Sequence, residues 1–223
     1  MKKLVIFSGA GISAESGLST FRDNGGIWDQ YPIGEVATPE AWLKNPKKVN
    51  EFYNMRRENC LNAKPNNAHL KIASLEDRFD ISIITQNIDD LHERAGSKNI
   101  IHLHGEIIKS RSSETNKIFQ IEGSKIKENE LCPEGYPLRP HVVWFGEDVP
   151  NLKLAQNLVN VADILVIIGT SLRVYPAANL IYEAKPNCMK YVIDPNEIDI
   201  KTDVIHIKEK GSVGIDKLIQ LIK

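Results

Sequence analysis

Five short apolar segments, rich in Val and Ile, most constrain the fold of this chain. They lie at residues 4–8, 81–85, 164–169, 190–194 and 204–207. They do not alternate with polar residues as a strand with one wet face would, so we expect burial on both faces, as in a parallel sheet. Helical patterns occur between them, at residues 152–161, 176–184 and 216–222. Strands that alternate with helices predict an α/β fold, a Rossmann-like parallel sheet with helices on both faces.

Two segments, residues 31–65 and 106–140, do not fit this alternation. In the first, Thr38 before Pro39 predicts a helix start, and Pro46 opens a second helix. The second is polar and closes with three prolines. We interpret both as a smaller inserted lobe, which leaves residues 1–30, 66–105 and 141–223 for the Rossmann-like domain. The cleft between lobe and sheet is the expected place for chemistry.

Charge and cysteine content exclude several classes of protein. The 28 Lys and Arg residues balance 29 Asp and Glu residues, so we expect no nucleic-acid partner. The longest apolar run, residues 164–168, is far shorter than the ~20 residues of a membrane-spanning helix. Three widely spaced cysteines and a first apolar run that stops at Phe7 argue against a secreted disulfide framework and a signal peptide. We expect a monomer in the cytoplasm, without a membrane partner.

A glycine-rich turn follows the first apolar segment. Gly9, Gly11 and Ala14 match the pattern G-x-G-x-x-A, in which glycines let backbone N–H groups approach a pyrophosphate. A purely structural turn from strand to helix is the alternative. An ordinary dehydrogenase fits less well, because the next strand starts only at residue 81 and no acidic residue follows a second strand at the usual distance.

Five sequence blocks together form a more specific pattern. They are GAGISAESGLSTFR (residues 9–22), TQNIDDLH (85–92), HLHG (102–105), RPHVVWFGE (139–147) and GTSL (169–172). In content and order they resemble the sirtuin family, the NAD-dependent protein lysine deacylases. The resemblance implies NAD as cofactor and acylated lysine side chains of proteins or peptides as substrates. The implied products are nicotinamide, deacylated lysine and O-acyl-ADP-ribose.

The resemblance also implies roles for single residues. His104 would be the general base and Asn87 its catalytic partner, and a neutral imidazole suits the proton transfer. Phe21 would shield the reacting ribose carbon, and Asp194 stands where the family usually has asparagine. The implied NAD-binding residues are Gly9, Ala10, Gly11, Ser13, Phe21, Arg22, Gln86, Asn87, Asp89, Gly169, Thr170, Ser171 and Asp194.

Structural alternatives stay open for some of these residues. His104 is alternatively a core histidine at a strand end, and this is the interpretation that we favour for His102. Asn87 and Asp89 also suit a turn that caps a helix over residues 90–95. Both roles are compatible.

The position of Ala37, Tyr53 and Arg56 resembles that in sirtuins that prefer acidic acyl groups. Tyr53 and Arg56 are three residues apart, so both side chains leave one helix face. Arginine offers two donors to a succinyl or malonyl carboxylate, and Ala37 would leave room for the longer chain. The alternative is an ordinary solvated arginine, as we expect for Arg57.

The resemblance places further substrate contacts in the RPHVVWFGE block. Val143, Phe145 and Gly146 would bind the substrate peptide and its lysine. A buried strand is the alternative for this apolar stretch.

A zinc site that many sirtuins carry is expected to be missing here. Of its second cysteine pair only Cys132 is present, and residues 110–115 hold Ser and Thr in place of the first pair. One thiolate cannot complete a tetrahedral site, so we expect no metal. The lobe would then depend on its own apolar residues: Ile107, Ile108, Ile118, Phe119, Ile121 and Ile126.

Three other functions use parts of the same pattern. A dehydrogenase needs the glycine turn but not the Asn-x-Asp or His-Gly blocks. A non-catalytic NAD-binding sensor would not need His104 or Asn87. An ADP-ribosyltransferase shares the cofactor chemistry and stays open.

Overall fold

A parallel sheet forms the centre of the protein, in a computed structural model that describes residues 1–20 and 26–222. The strands are β1 (Lys3–Ser8), β2 (Asp80–Thr85), β3 (Ile100–His102), β4 (Gly105–Ser112), β5 (Ile118–Gln120), β6 (Leu138–Val142), β7 (Ile164–Ile168), β8 (Met189–Ile193) and β9 (Ile205–Ile207). The central sheet has six strands in the order β3-β2-β1-β7-β8-β9, with parallel neighbours throughout. The predicted Rossmann-like sheet is confirmed. Strand β3 was not among the five predicted segments, although its last residue, His102, was expected at a strand end.

Helices cover both faces of this sheet, as predicted. The α-helices of the described residues, those of the small lobe included, are α1 (Ala10–Ala14), α2 (Ile27–Gln30), α3 (Ile33–Val36), α4 (Pro39–Lys44), α5 (Pro46–Asn62), α6 (Asn67–Ser74), α7 (Leu91–Arg94), α8 (Leu152–Val161) and α9 (Gly211–Leu221). Two 3-10 helices, Leu75–Asp77 and Ala177–Glu183, complete the set in the described residues, and the second replaces the α-helix expected there. No helix within residues 1–20 and 26–222 is long and apolar enough to span a bilayer.

The central strands are apolar at successive positions because helices cover both faces of the sheet. Leu4 and Ile6 of β1 pack with residues of α6 and α9 on one side of the sheet. Val5 and Phe7 point to the opposite side and pack with residues of α8 and the second 3-10 helix. Successive side chains of a strand alternate between faces, so a strand between two helix layers needs no polar positions.

A smaller antiparallel sheet, in the order β5-β4-β6, lies beside helices α3 to α5. Helix α4 is capped by Thr38 Oγ1, which accepts from the Ala41 N–H at 3.1 Å, and α5 by Asn45 Oδ1, which accepts from the Lys48 N–H at 3.0 Å. The predicted helix starts at Pro39 and Pro46 are thus confirmed, whereas the antiparallel sheet was not predicted. Strand β6 crosses the boundary expected between residues 140 and 141, and the division into domains stays a prediction.

The tip of this lobe packs around its single cysteine. Cys132 is buried with Ile126 and Leu138, and Phe119 and Ile121 pack against them. Ile118 was expected in this core but is 52% exposed. The hydroxyl of Ser112, near the expected position of the first cysteine pair, accepts hydrogen bonds from the backbone N–H groups of residues 114 and 115. The absence of zinc stays a prediction.

Candidate active site

A cleft of about 890 Å³ lies between the parallel sheet and the small lobe. Gly11, Gln86, Thr170 and Asp194, which follow the ends of β1, β2, β7 and β8, line its sheet side. Tyr53 of α5 lines the side of the lobe. Because open α/β sheets bind ligands at the carboxyl ends of their strands, this cleft is the candidate active site.

Most residues predicted for the site meet in this cleft. Those that line it are Ala10, Gly11, Ala37, Tyr53, Arg56, Gln86, Asn87, His104, Val143, Phe145, Gly146, Gly169, Thr170, Ser171 and Asp194. Ser13 and Asp89 line an adjoining cavity of about 160 Å³, which Asn87 and Arg56 also border. Gly9 lies behind the cleft, where its carbonyl accepts a hydrogen bond from Asn87. Phe21 and Arg22 lie outside the described residues.

The glycines of the turn allow two backbone segments to cross. The Gly11 N–H donates to the Gly169 carbonyl at 2.8 Å. A Cβ atom on Gly169 would lie 2.2 Å from the Ile12 nitrogen, and one on Gly11 would lie 2.8 Å from the Gly169 Cα. Gly169 also has a φ of +63°, in the left-handed region. The structural reason for these glycines therefore holds beside any ligand that the turn binds.

Replacement of Gly169 by alanine is expected to destabilise the protein strongly. The left-handed φ costs about 1–2 kcal/mol for a residue with a Cβ, and the clash with Ile12 raises the total to about 4 kcal/mol or more. Gly96 is a matched control, because its φ is +101° but open space surrounds the added Cβ. Urea unfolding would measure both. Equal losses of unfolding free energy would contradict this role of the crossing.

His104 is held as a neutral base. Its Nδ1 lies 3.0 Å from the Gln86 carbonyl oxygen. A carbonyl only accepts, so Nδ1 carries the hydrogen and Nε2 keeps the basic lone pair. Burial lowers the pKa of His104 below its usual value, although the Gln86 hydrogen bond opposes this. The ring is therefore neutral and ready to take a proton at neutral pH.

Asn87 has its amide orientation fixed by acceptors behind it. Its Nδ2 donates to the Gly9 carbonyl at 3.2 Å and to Ser13 Oγ at 3.1 Å. Its backbone N–H donates to Thr85 Oγ1 at 3.0 Å. Because the Gly9 carbonyl requires a donor, Oδ1 is the polar atom of Asn87 that remains to accept from a ligand or a water.

Asp89 has the structural role at the start of a helix that the sequence left open, and its NAD-binding role stays a prediction. Its Oδ1 accepts from the Leu91 N–H at 3.2 Å, at the start of α7, and its Oδ2 accepts from Ser13 Oγ at 3.0 Å. Burial raises the pKa of Asp89, although both of these hydrogen bonds act to lower it. Each carboxylate oxygen can accept more than one bond, so this cap leaves capacity for a ligand N–H.

A buried donor on Gln86 has no protein partner. Thr170 Oγ1 donates to Gln86 Oε1 at 2.8 Å, which turns the amide so that its oxygen is used. Its Nε2 is buried and makes no hydrogen bond within the described part of the chain. A buried donor left unpaired costs about 1–3 kcal/mol, so this atom points to a ligand acceptor in the cleft.

Asp194 closes the far end of the cleft. Its Oδ1 accepts from the Asn196 N–H at 2.9 Å in a tight turn after β8. Its other oxygen, Oδ2, is the one that this turn does not use. A carboxylate there can accept from hydroxyl groups, as the sequence predicted.

Tyr53 and Arg56 lie together at the lobe side of the cleft. The Arg56 guanidinium carbon is 5.8 Å from the centre of the Tyr53 ring and 5.6 Å from that of Phe52. Burial raises the pKa of Tyr53 to about 12, while the Arg56 charge acts to lower it. The phenol therefore stays protonated and able to donate across the neutral range. Ala37 is buried at the same end of the cleft.

Arg57 is not the solvated arginine that was expected. It is fully buried, and its Nε donates to the Ile107 carbonyl at 2.5 Å. Its Nη1 donates to Asn54 Oδ1 at 2.6 Å and to the Ser124 carbonyl at 3.1 Å. Arg57 thus ties α5 to β4 and to the lobe loop, because three acceptors replace water around its guanidinium.

Two other histidines brace the site from behind. His102 ends β3, and its ring lies 3.0 Å from the Asn87 carbonyl and 2.7 Å from Glu93 Oε1. His92 lies 3.0 Å from Ser8 Oγ, at the end of β1. Glu93, His102 and Glu106 are the one group in residues 1–20 and 26–222 close enough together to hold a metal ion.

A partly buried ion-pair network around Glu147, which lines the cleft, was not predicted. Glu147 accepts from Arg139 at 2.7 and 3.1 Å and from Arg111 at 2.9 Å. The Arg139 guanidinium carbon lies 3.2 Å from the centre of the Trp144 ring, which lines the cleft. These residues lie in or near the RPHVVWFGE block. The spacing of these residues follows no helical or strand period that would predict a site. Only the position of some of them in the RPHVVWFGE block could have indicated a role.

The comparisons with known proteins agree with this arrangement. Residues 9–176 match the Sir2 family. The chain is 49% identical to an NAD-dependent protein deacylase of Bacteroides thetaiotaomicron, over 100% of this chain and 98% of that protein. A solved Sir2 homolog–NAD complex is 42% identical, with a TM-score of 0.90 over 99% of this chain and 89% of that one. A Sir2–p53 peptide–NAD+ structure is 29% identical, with a TM-score of 0.82 over 98% of this chain and 92% of that one.

Proposed function

Because this chain belongs to the Sir2 family and is an NAD-dependent protein deacylase, we propose that it removes acyl groups from lysine side chains with a preference for succinyl and malonyl groups. The observation that carries the proposal is the meeting of His104 and Asn87 with Tyr53 and Arg56 in one cleft. The first two residues suit the common chemistry of the family. The last two suit an acidic acyl group. Deacetylation is expected as a weaker activity.

The residues present fit NAD. The unpaired Nε2 of Gln86 offers a donor inside the cleft, and Gly11 and Gly169 line the same cleft. Thr170 and Ser171 follow β7 at the edge where such folds bind phosphate and ribose. When bound, NAD supplies an electrophilic ribose carbon that receives the acyl oxygen as nicotinamide leaves.

His104 and Asn87 have different roles at the reacting end of the cleft. His104 Nε2 takes a proton from a ribose hydroxyl, since its Nδ1–H is committed to Gln86. Asn87 accepts through Oδ1 from a water or an amide of the ligand, since its Nδ2 is committed to Gly9 and Ser13. Asp89 holds Ser13 and, through it, the position of Asn87.

The segment around Val143 connects the base with the acyl pocket. The Val143 N–H donates to the His104 carbonyl at 2.9 Å, and the Phe145 N–H donates to the Ala37 carbonyl at 3.0 Å. A lysine side chain that enters beside Val143 and Phe145 would therefore extend from His104 toward Ala37. Its carbonyl group would lie at the base and the end of its acyl group near Tyr53 and Arg56.

The acyl pocket has the charge that a succinyl group requires. Arg56 faces the cleft beside the phenol of Tyr53, and burial acts to lower the pKa of Arg56. A guanidinium stays protonated even so and can bind a carboxylate through two donors. A carboxylate in the pocket can accept charge-assisted hydrogen bonds from this guanidinium, which an acetyl group cannot, so an acidic acyl group is favoured.

The test follows the cofactor and the peptide together. We expect the protein to release free nicotinamide from NAD, with no rise in NADH absorbance, while a succinyl-lysine peptide loses the mass of its succinyl group. NADH formation would indicate a dehydrogenase. A peptide that gains the mass of ADP-ribose would indicate an ADP-ribosyltransferase, and binding of NAD without either change would indicate a sensor.

The pH dependence is expected to follow His104. Its pKa is lowered from the ordinary 6.5, so the basic form is present at and above that pH and is lost as the pH falls below it. The acid limb of kcat/KM for an acetyl-lysine peptide, whose acyl group does not titrate, should therefore have its midpoint below 6.5. Steady-state rates across the acid range measure it. A midpoint above 6.5 would contradict a buried, neutral base.

A further inference from the structure

We infer that Trp144 is a positioning residue for acidic acyl groups, whose indole N–H orients the Tyr53 hydroxyl toward the acyl carboxylate. The inference rests on the proposed function and adds a residue that acts through Tyr53. The sequence placed Trp144 in the segment expected to bind the substrate peptide but gave its side chain no role of its own. Its side chain lines the cleft together with Tyr53 and Arg56 and is 3% exposed.

The indole N–H of Trp144 is a buried donor without an assigned hydrogen-bond acceptor. Its Nε1 makes no hydrogen bond of standard geometry to a residue in the described ranges. It nevertheless lies next to the Tyr53 hydroxyl, where it acts to lower the pKa of that phenol. Trp144 and Tyr53 also pack in the same buried cluster and line the same cleft, so the two groups are neighbours there. A buried N–H without an acceptor is costly, which favours a hydrogen bond to the Tyr53 oxygen when the pocket fills.

The direction of this hydrogen bond follows from the chemistry of the two groups. An indole N–H can only donate, whereas a phenol can donate and accept. When Trp144 donates to the Tyr53 oxygen, the single hydrogen of the phenol is left to donate elsewhere. The acceptor that fits is a carboxylate held by Arg56 on the same helix face. An acetyl group offers no such acceptor at that depth.

Three contacts fix the position of the indole. The Arg139 guanidinium stacks on its ring, and the Trp42 ring lies 5.9 Å away between centres. The Trp144 backbone N–H donates to Glu147 Oε2 at 2.8 Å, and Glu147 also holds Arg139. The ring is therefore held from its face and from its backbone, in the same cluster as Tyr53.

The test is the variant Trp144→Phe, which keeps an aromatic ring for Arg139 but removes the N–H. We expect kcat/KM for a succinyl-lysine peptide to fall about tenfold, mainly through KM, and that for an acetyl-lysine peptide to change less than about twofold. Trp42→Phe is the matched control, since Trp42 touches the same indole without lining the cleft, and it should keep the succinyl-to-acetyl ratio of the wild type.

A second variant separates action through Tyr53 from a direct contact. In a Tyr53→Phe background, Trp144→Phe should lower succinyl activity by less than about twofold further, because the group that it orients is gone. Full additivity of the two losses would overturn the inference. An equal fall for both acyl groups in Trp144→Phe would also overturn it, since that result indicates loss of structure.

The same measurements distinguish failure of the proposed function from failure of the inference about Trp144. A wild-type protein with no preference for succinyl-lysine overturns that function and the inference with it. A wild-type preference that Trp144→Phe leaves intact overturns the inference alone.

Discussion

Replacement of His104 by alanine is expected to lower kcat/KM for acyl-lysine peptides by about 10³-fold, within the range for loss of a general base. The reason is the orientation of the ring. Its Nδ1–H is used by the Gln86 carbonyl, so Nε2 is the one basic atom that the ring presents. Steady-state release of nicotinamide, measured with succinyl- and acetyl-lysine peptides, should show the same fractional loss for both acyl groups.

Retention of NAD is the control for this variant. Calorimetric titration should give an NAD affinity within a few-fold of the wild type, because Thr170 holds the Gln86 side chain and Gly169 holds the glycine turn without contacts to the imidazole. A variant that binds NAD and still keeps a tenth of the wild-type activity would contradict the assignment of His104 as the base.

Replacement of Arg56 by methionine is expected to reverse the acyl preference. Methionine fills a similar volume and makes the end of the pocket apolar. Loss of the charged donors should lower kcat/KM for a succinyl-lysine peptide by about 10- to 100-fold. The value for an acetyl-lysine peptide should stay the same or rise, since a charge near the apolar acetyl group is removed. Paired kinetics with peptides of one sequence measure the ratio.

The variant Arg56→Lys separates charge from geometry. Lysine keeps the positive charge but lacks the planar fork of donors, so we expect an intermediate loss with succinyl-lysine peptides. The wild-type ratio of succinyl to acetyl activity in Arg56→Met would exclude recognition of the carboxylate by this residue.

The sequence predicted the sheet well because its central strands are buried on both faces. An unbroken apolar run such as residues 164–168 is shorter than a typical buried helix and has the length of a strand that is covered on both faces. Strand β3 was missed because it has only three residues, too few for a periodic signal. The antiparallel sheet of the lobe was missed because β4, Gly105–Ser112, shows an irregular burial pattern, with a shift of register in its pairing to β6.

The site was predicted through its motifs more than through its physical environment. The residues after β1, β2 and β7 were assigned correctly to one edge, because strand ends of a parallel sheet meet there. Arg57 was misjudged because its residue type suggests solvent, whereas its acceptors include carbonyls of segments that only the fold brings together. The orientation of Trp144 depends in the same way on Arg139 and Glu147, which no local pattern connects.

The central claim is most directly tested by competition in a single reaction. Succinyl- and acetyl-lysine forms of one peptide, at equal concentration and with NAD, would be followed by mass spectrometry as the protein acts on both. We predict that the succinyl peptide is consumed first, that O-succinyl-ADP-ribose appears in step with it, and that no reaction occurs without NAD. Faster loss of the acetyl peptide, or loss of either peptide in the absence of NAD, would contradict the account.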